Sequence, residues 1–328
     1  MLTNDITRPF DLKGAPQIAG PKTTQTIMRD VLIALAPACV ASVVIFGLDA
    51  AIVLTLSVAS CVGFEYLWCK IRKVDPTIFD LSAAVTGVLL AMNCPATLPL
   101  PMVVVGSFVA IIVAKELFGG IGRNIANPAI VGRIFLALSF PAAMATFGPP
   151  RLVVGNADLV SSATPLAPSA ATPTLMQLLL GTHAGTLGET CSIALILGMA
   201  YLIATKTIRW EMPATYLGAI CVLSVVCGHN PLIEIFEGGI LLGAGFMVTD
   251  YTTSPHTIRG KVVFCLGCAV ITCLIRFFGN LNEGVAYSIL FMNLLVPYID
   301  QLTPNIPVGG EAIMAERRRA KRGGKSHG

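Results

Sequence analysis

The sequence is poor in charged residues. Asp, Glu, Lys and Arg make up 12% of its 328 residues, whereas 55% of the residues are hydrophobic. Soluble domains carry roughly 25% charged residues. Because the deficit extends along the whole chain, it argues against a soluble domain with one anchor and predicts an all-α polytopic membrane protein. The net charge of +4 does not indicate nucleic-acid binding, since the basic residues lie in loops and tails.

Several chemical signatures are also missing. The ten cysteines form no secreted disulfide pattern. Cys265 and Cys268 have a C-x-x-C spacing, but inside an apolar run packing is the more frequent role; a cluster shared with another subunit is the alternative. The four histidines show no metal spacing, and neither a phosphate-binding glycine loop nor a catalytic triad is present. We therefore assign no catalytic residue.

Apolar runs predict about ten transmembrane helices in two halves of five. They cover approximately residues 31–46, 50–68, 81–92, 102–118, 134–147, 190–205, 213–227, 238–248, 262–275 and 285–299. The third and eighth runs are too short for a full crossing, which takes about 20 residues. Both contain glycine and end in a methionine near polar residues. Because the two halves begin on opposite sides, we expect inverted repeats with broken spans around a central binding site.

Basic residues predict the orientation. With both termini in the cytoplasm, only Arg151 and Arg276 among the 22 Lys and Arg residues fall on the outside, as the positive-inside rule favours. The predicted organisation is a cytoplasmic tail (1–30), a first five-span half (31–148), an extracytoplasmic loop (149–189), a second five-span half (190–299) and a basic cytoplasmic tail (300–328).

The extracytoplasmic loop contains a hydroxyl-rich motif. It resembles the D-x-x-(S/T)-(G/S/A)-A-T signature, at which a flavin transferase joins FMN to threonine through a phosphoester. Pro165 favours an extended backbone at the preceding threonine. We expect Thr164 to carry covalent FMN within the attachment motif formed by Asp158, Ser161, Ser162 and Ala163. An ordinary Ser/Thr-rich loop is the alternative.

Asp250 is the strongest candidate for ion handling. It follows the broken eighth span and has Thr249 and Thr252 beside it, so that carboxylate and hydroxyl oxygens suited to a hard cation come together. These residues predict part of a cation pathway. The alternative is a loop carboxylate that accepts local capping hydrogen bonds.

Three motifs in order resemble one family. They are NIANPAIVGR at 124–133, SATPL at 162–166 and FMVTDYTTSP at 246–255. The whole chain is similar to the membrane-integral D subunits of Rnf (Rsx) electron-transport complexes, in the NqrB/RnfD family. The more common attachment motif has glycine where this chain has Ser162, and that departure leaves the acceptor threonine intact.

The resemblance implies a flavin-carrying membrane subunit of a complex that couples ferredoxin:NAD⁺ electron transfer to Na⁺ or H⁺ translocation. FMN on Thr164 would exchange electrons with the FMN-bearing G subunit, and the membrane A and E subunits would be further partners in the bacterial inner membrane. A non-covalent riboflavin in the related reductase subunit implies a second flavin near the cytoplasmic face. Asn124 and Asn127 could contact its edge, although both are also turn formers.

Two other functions fit the same spans. An inverted-repeat channel or secondary transporter without its own redox role would use the broken third and eighth spans as its substrate path. A purely structural subunit would need neither a flavin nor a substrate path. The sequence does not distinguish Na⁺ from H⁺.

Overall fold

The computed structural model describes residues 22–74, 77–148, 150, 174–189, 191–279 and 284–304. Thr164 and its motif partners Asp158, Ser161, Ser162 and Ala163 lie outside these ranges. The described residues form α-helices and short 3₁₀ or π-helical turns, with no β-strand among them. The α-helices are α1 (Thr24–Phe46), α2 (Leu48–Arg72), α3 (Ser82–Met92), α4 (Leu100–Phe108), α5 (Pro128–Ser139), α6 (Pro141–Met144), α7 (Leu175–Leu180), α8 (Ser192–Ala204), α9 (Glu211–Val226), α10 (Pro231–Phe236), α11 (Ile240–Leu242), α12 (Ile258–Phe278) and α13 (Val285–Leu302).

Five helical segments are long and apolar enough to cross a membrane. They are Thr24–Phe46, Leu48–Arg72, Leu100–Phe118, Ile258–Phe278 and Val285–Leu302. Shorter apolar helices are Ser82–Met92, Pro128–Ser139, Ser192–Ala204 and Glu211–Val226. The chain is therefore all-helical with several spans in its described parts, as expected. The count of ten spans in inverted halves stays a prediction.

The fifth predicted span has the wrong bounds. Helix α5 covers Pro128–Ser139 and not 134–147, because a helix-start signal precedes the apolar run. Asn127 accepts a hydrogen bond from the Ala129 amide at 3.1 Å, and Pro128 occupies the first helical turn, where its missing N–H costs nothing. Pro141 then starts the separate short helix α6.

Close helix packing joins the two halves. Helix α1 packs on α8 and α5 packs on α13, whereas α2 contacts α3 and α4, and α12 contacts α9 and α13. Gly198 allows the first of these contacts, since a Cβ there would collide with the carbonyl oxygen of Ala34. Gly87 likewise lies against α2, where its Cβ would come within 2.7 Å of the Val58 Cα.

Two π-helical turns interrupt the apolar helices. Val109–Val113 continues α4, and Gly243–Met247 continues α11. In each, a backbone N–H bonds to the carbonyl five residues earlier: Ala114 to Val109 at 3.0 Å and Val248 to Gly243 at 2.8 Å. Such turns are rare and occur often at functional sites. The segments that follow them contribute to the same cavity.

Candidate functional site

A cavity brings together residues from distant parts of the chain. It encloses about 710 Å³, counting its open side, and lies between α1, α3, the 121–128 segment and the 245–252 segment. Five of its lining residues are those that the sequence predicted for a second flavin or a cation pathway: Asn124, Asn127, Thr249, Asp250 and Thr252. The sequence did not predict that the two groups share one site.

Asp250 is half-buried at the polar end of this cavity, and its carboxylate is well hydrogen-bonded. Oδ1 accepts from the Thr252 backbone N–H at 3.1 Å and from the Thr252 hydroxyl at 2.9 Å. Oδ2 accepts from the Thr253 hydroxyl at 3.1 Å and from the Asn127 amide at 3.3 Å. Burial raises the pKa of the Asp250 carboxyl, while the Thr252 and Thr253 bonds oppose that shift. The Thr249 hydroxyl instead donates to the Gly245 carbonyl at 2.7 Å.

The two asparagines have both a structural and a cavity-facing role. Asn127 caps α5 through its side-chain oxygen while its amide nitrogen reaches Asp250. The Asn124 oxygen accepts from the Gly122 amide at 3.1 Å, and its nitrogen donates to the Ala126 carbonyl at 3.2 Å and the Thr252 hydroxyl at 3.4 Å. The turn-forming interpretation and the cavity interpretation therefore apply to the same side chains.

Asn293 is a site residue that the sequence analysis missed. It is buried in α13. With its amide oriented to satisfy its neighbours, it donates to the Thr253 carbonyl at 3.2 Å and accepts from the Asn127 backbone N–H at 3.1 Å. It thus ties the 124–128 segment to the 249–255 segment. A lone amide within an apolar span was the available signal, because polar side chains at such positions need a partner.

The remaining cavity wall is mostly apolar with one charged position. Leu89 of α3 and Phe246 of the second π-helical turn contribute apolar surface, whereas Lys115 and Ser82 lie on another part of the wall. The Lys115 ammonium donates to the Ser82 hydroxyl at 2.6 Å. An apolar wall with a few convergent polar groups is the usual composition of a cofactor or ligand pocket.

A second polar region surrounds the end of α3. Arg133 is buried and donates from Nε to the Asn93 carbonyl at 3.2 Å, so it lies inside the protein and does not anchor a helix at a membrane surface. Backbone bonds from Leu187 to Cys94 at 3.0 Å and from Gly188 to Met92 at 2.7 Å attach the loop before α8 to the same point.

Two ionisable groups near this region are perturbed. Burial raises the pKa of Glu237 to about 7, with Arg276 opposing the shift and Glu234 and Glu189 adding to it. Burial lowers the pKa of His183. Among the described residues, no group of three or more His, Cys, Asp or Glu side chains could hold a metal ion. Cys265 and Cys268 are fully buried in α12 within the main hydrophobic core, as a packing role requires.

These features are those of a multi-pass membrane protein: the described residues are helical, five helices are long and apolar enough to cross a bilayer, and a partly polar cavity lies among the helices. The chain belongs to the NQR2, RnfD, RnfE family, whose profile matches residues 11–309. The expected resemblance to Rnf D subunits is confirmed.

Similar proteins cover nearly the whole chain. It is 38% identical over 314 residues to the D subunit of the Na⁺-translocating ferredoxin:NAD⁺ oxidoreductase complex of Acetobacterium woodii, covering 94% of this chain and 98% of the relative. It is also 38% identical over 320 residues to the D subunit of the proton-translocating ferredoxin:NAD⁺ oxidoreductase complex of Clostridium ljungdahlii, covering 92% and 96%. The D subunit of the ion-translocating oxidoreductase complex of Actinobacillus succinogenes is 33% identical over 342 residues, covering 90% and 96%.

Proposed function

We propose that this chain is a flavin-carrying membrane subunit of a complex that couples ferredoxin:NAD⁺ electron transfer to translocation of Na⁺ or H⁺. Its relatives are named as D subunits of such complexes. The observation that carries the flavin part is the cavity, because it joins the family motifs at 124–133 and 246–255 in one pocket. Relatives of equal identity are named for different ions, so similarity assigns neither ion to this chain.

The cavity residues fit a riboflavin-like cofactor. The amides of Asn124 and Asn127 can donate to or accept from the polar edge of an isoalloxazine ring, and Leu89 and Phe246 offer apolar surface to its faces. A flavin supplies reversible electron acceptance, whereas the protein binds, orients and shields it. Half-buried Asp250 accepts four hydrogen bonds, and the one from Asn127 joins the two segments that line the pocket.

A covalent FMN on Thr164 is the second flavin of the proposal. The threonine hydroxyl would form a phosphoester with the FMN phosphate, so the cofactor could not dissociate into an open compartment. The charge asymmetry of the sequence supports an extracytoplasmic position for this loop and cytoplasmic positions for both termini in a bacterial inner membrane. The G subunit would then exchange electrons with FMN, and the A and E subunits would contact the membrane spans.

One flavin inventory tests both cofactors. The full chain is purified from cells that express the flavin transferase and is then denatured. On a denaturing gel, we expect the protein band to fluoresce because of covalent FMN. We expect riboflavin, which is not covalently bound, to be released from the denatured protein as a separate fraction. Thr164→Val should abolish the band fluorescence and leave the released fraction unchanged. Ser162→Gly, which restores the more common motif, is the control and should keep both signals.

The outcomes separate the two parts of the proposal. A dark wild-type band contradicts covalent attachment at Thr164. A fluorescent band without any released flavin contradicts the cavity assignment.

A channel or secondary transporter is the second candidate. The observation that favours it is the pair of short elements, α3 and the α11 segment, each followed by irregular backbone and packed inside the protein. Irregular backbone at membrane depth is tolerated where it is buried in protein or lines a cavity. Solute flux by the purified flavin-free chain in liposomes would support this function, and flux that requires the assembled complex would oppose it.

A further inference from the structure

A buried charge cluster lies beside the cavity. The Lys115 ammonium is 2.7 Å from Glu65 Oε2, and these side chains are 3% and 0% exposed. The other Glu65 oxygen accepts from the Thr77 hydroxyl at 2.5 Å, and Lys115 also donates to Ser82. Glu65 and Lys115 therefore form an ion pair whose hydrogen bonds are well satisfied, fifty residues apart in sequence.

Glu116 lies next to this pair but is not part of it. Its Oε1 atom is 3.9 Å from the Lys115 ammonium, which is beyond hydrogen-bond distance. That oxygen is buried and has no hydrogen-bond partner among the described residues, and Glu116 as a whole is only 7% exposed. A buried carboxylate oxygen without a hydrogen bond is costly to keep charged. The one ammonium nearby, that of Lys115, already donates to Glu65 and Ser82, so the neutral acid is the favoured form of Glu116.

The charged groups around Glu116 have a net charge that one bound proton would neutralise. The groups that act on it are Lys115, Glu65, Asp80 and Arg72. Together with Glu116 itself, three carboxylates face two cations, so one bound proton makes the cluster neutral.

A chain of hydrogen bonds leads from the neighbouring Glu65–Lys115 ion pair towards the surface, without including Glu116 itself. Lys115 donates to the Ser82 hydroxyl, which donates to Asp80 Oδ1 at 2.6 Å, and Asp80 is only partly buried.

We propose that Glu116 is a proton-binding site that carries a proton in the resting chain. A proton fits better than a metal ion because the described residues contain no cluster of three or more ligating acids, histidines or cysteines. Lys115 lines the cavity. A negative charge gained by a flavin in that cavity, as the proposed function requires, therefore acts on the lysine that neighbours Glu116. The proton site itself needs no flavin, and its test can use flavin-free protein.

Infrared spectroscopy of the purified full-length chain tests the proposal. At near-neutral pH the wild-type minus Glu116→Gln difference spectrum should show the carbonyl band of a protonated carboxylic acid. Other carboxyl groups that are partly protonated there, such as Glu237 with its pKa of about 7, contribute equally to both spectra and cancel. Glu211→Gln is the matched control, because Glu211 pairs with exposed Arg209 at 3.0 Å and should be ionised. A difference spectrum without that band overturns the proposal. Loss of the band when Na⁺ replaces K⁺ overturns it in favour of a sodium site.

A second measurement needs no variant. Dicyclohexylcarbodiimide is an apolar reagent that adds to protonated carboxyl groups shielded from water. Peptide mass spectrometry of the treated wild-type chain should place an adduct on Glu116, and its yield should fall as the pH rises. Labelling confined to other carboxyl groups contradicts the proposal even if Glu116→Gln does not fold.

Discussion

Replacing Lys115 by methionine should destabilise the chain by about 3–5 kcal/mol, because it leaves the fully buried Glu65 without its cation. A second route gives the same size of effect. The isolated carboxylate can instead take up a proton. The ordinary pKa of glutamate is near 4.3, so protonation at pH 7 costs about 3.7 kcal/mol, at about 1.36 kcal/mol for each pH unit above that pKa. The loss should therefore shrink by about 1.4 kcal/mol for each unit that the pH is lowered.

A double-mutant cycle makes the prediction specific to the pair. The combined Glu65→Gln, Lys115→Met chain should recover most of the loss, since removing both buried charges is often neutral. Unfolding is followed by circular dichroism during titration with denaturing detergent. Arg209 and Glu211 form the control pair, with side chains 50% and 27% exposed, and their coupling should be only about 0.2–1 kcal/mol. A loss in Lys115→Met no larger than in the control pair, or no recovery in the double variant, refutes the reasoning.

Two further variants probe other sites. Asn127→Asp keeps the cap of α5 but replaces the amide donor by a second carboxylate next to Asp250. Riboflavin titration should show affinity weakened by about tenfold, since one hydrogen bond contributes about 1–1.5 kcal/mol; Asn230→Asp, at the cap of α10, should change nothing. Glu237 has a folded pKa of about 7 against an ordinary 4.5, so its contribution is complete below 4.5 and is lost as the pH rises to 7. The unfolding midpoint should decline over that range. Glu237→Gln should make the decline shallower but not abolish it, because the proton proposed on Glu116 contributes a slope of its own; a slope unchanged in that variant contradicts the assignment.

Apolar runs predicted most helices because a bilayer selects long stretches without charge. The predicted bounds of the fifth span were wrong because they were taken from the apolar run alone. The Asn127-Pro128 pair is a helix-start signal, and it begins α5 six residues before Ile134. From the sequence, Asn127 was interpreted as a possible flavin contact or a turn former, and not as a helix cap. The capping residues therefore indicated the correct start of the helix, whereas the apolar pattern indicated a start that was too late.

Contacts between distant segments were beyond the sequence. Lys115 and Glu116 are adjacent in sequence, yet the Lys115 ammonium is 2.7 Å from Glu65 and 3.9 Å from Glu116. Asp250 and Asn127 were assigned to different sites, and the fold places them 3.3 Å apart. Such pairings depend on how α2 packs on α3 and on how α5 packs against α13. The attachment residue Thr164 lies outside the described residues, so its role stays a prediction.

The two π-helical turns bear on how these sites could arise. A π-helical turn holds one extra residue, and that residue rotates everything after it by about 100° relative to the preceding helix. Lys115 and Glu116 follow the turn Val109–Val113, and Asp250 follows the turn Gly243–Met247. The insertion of a single residue into an apolar helix is thus enough to move a charged side chain from the lipid-facing side of the helix to the side that faces the protein interior. Deleting one residue from either turn reverses that rotation without changing any polar residue.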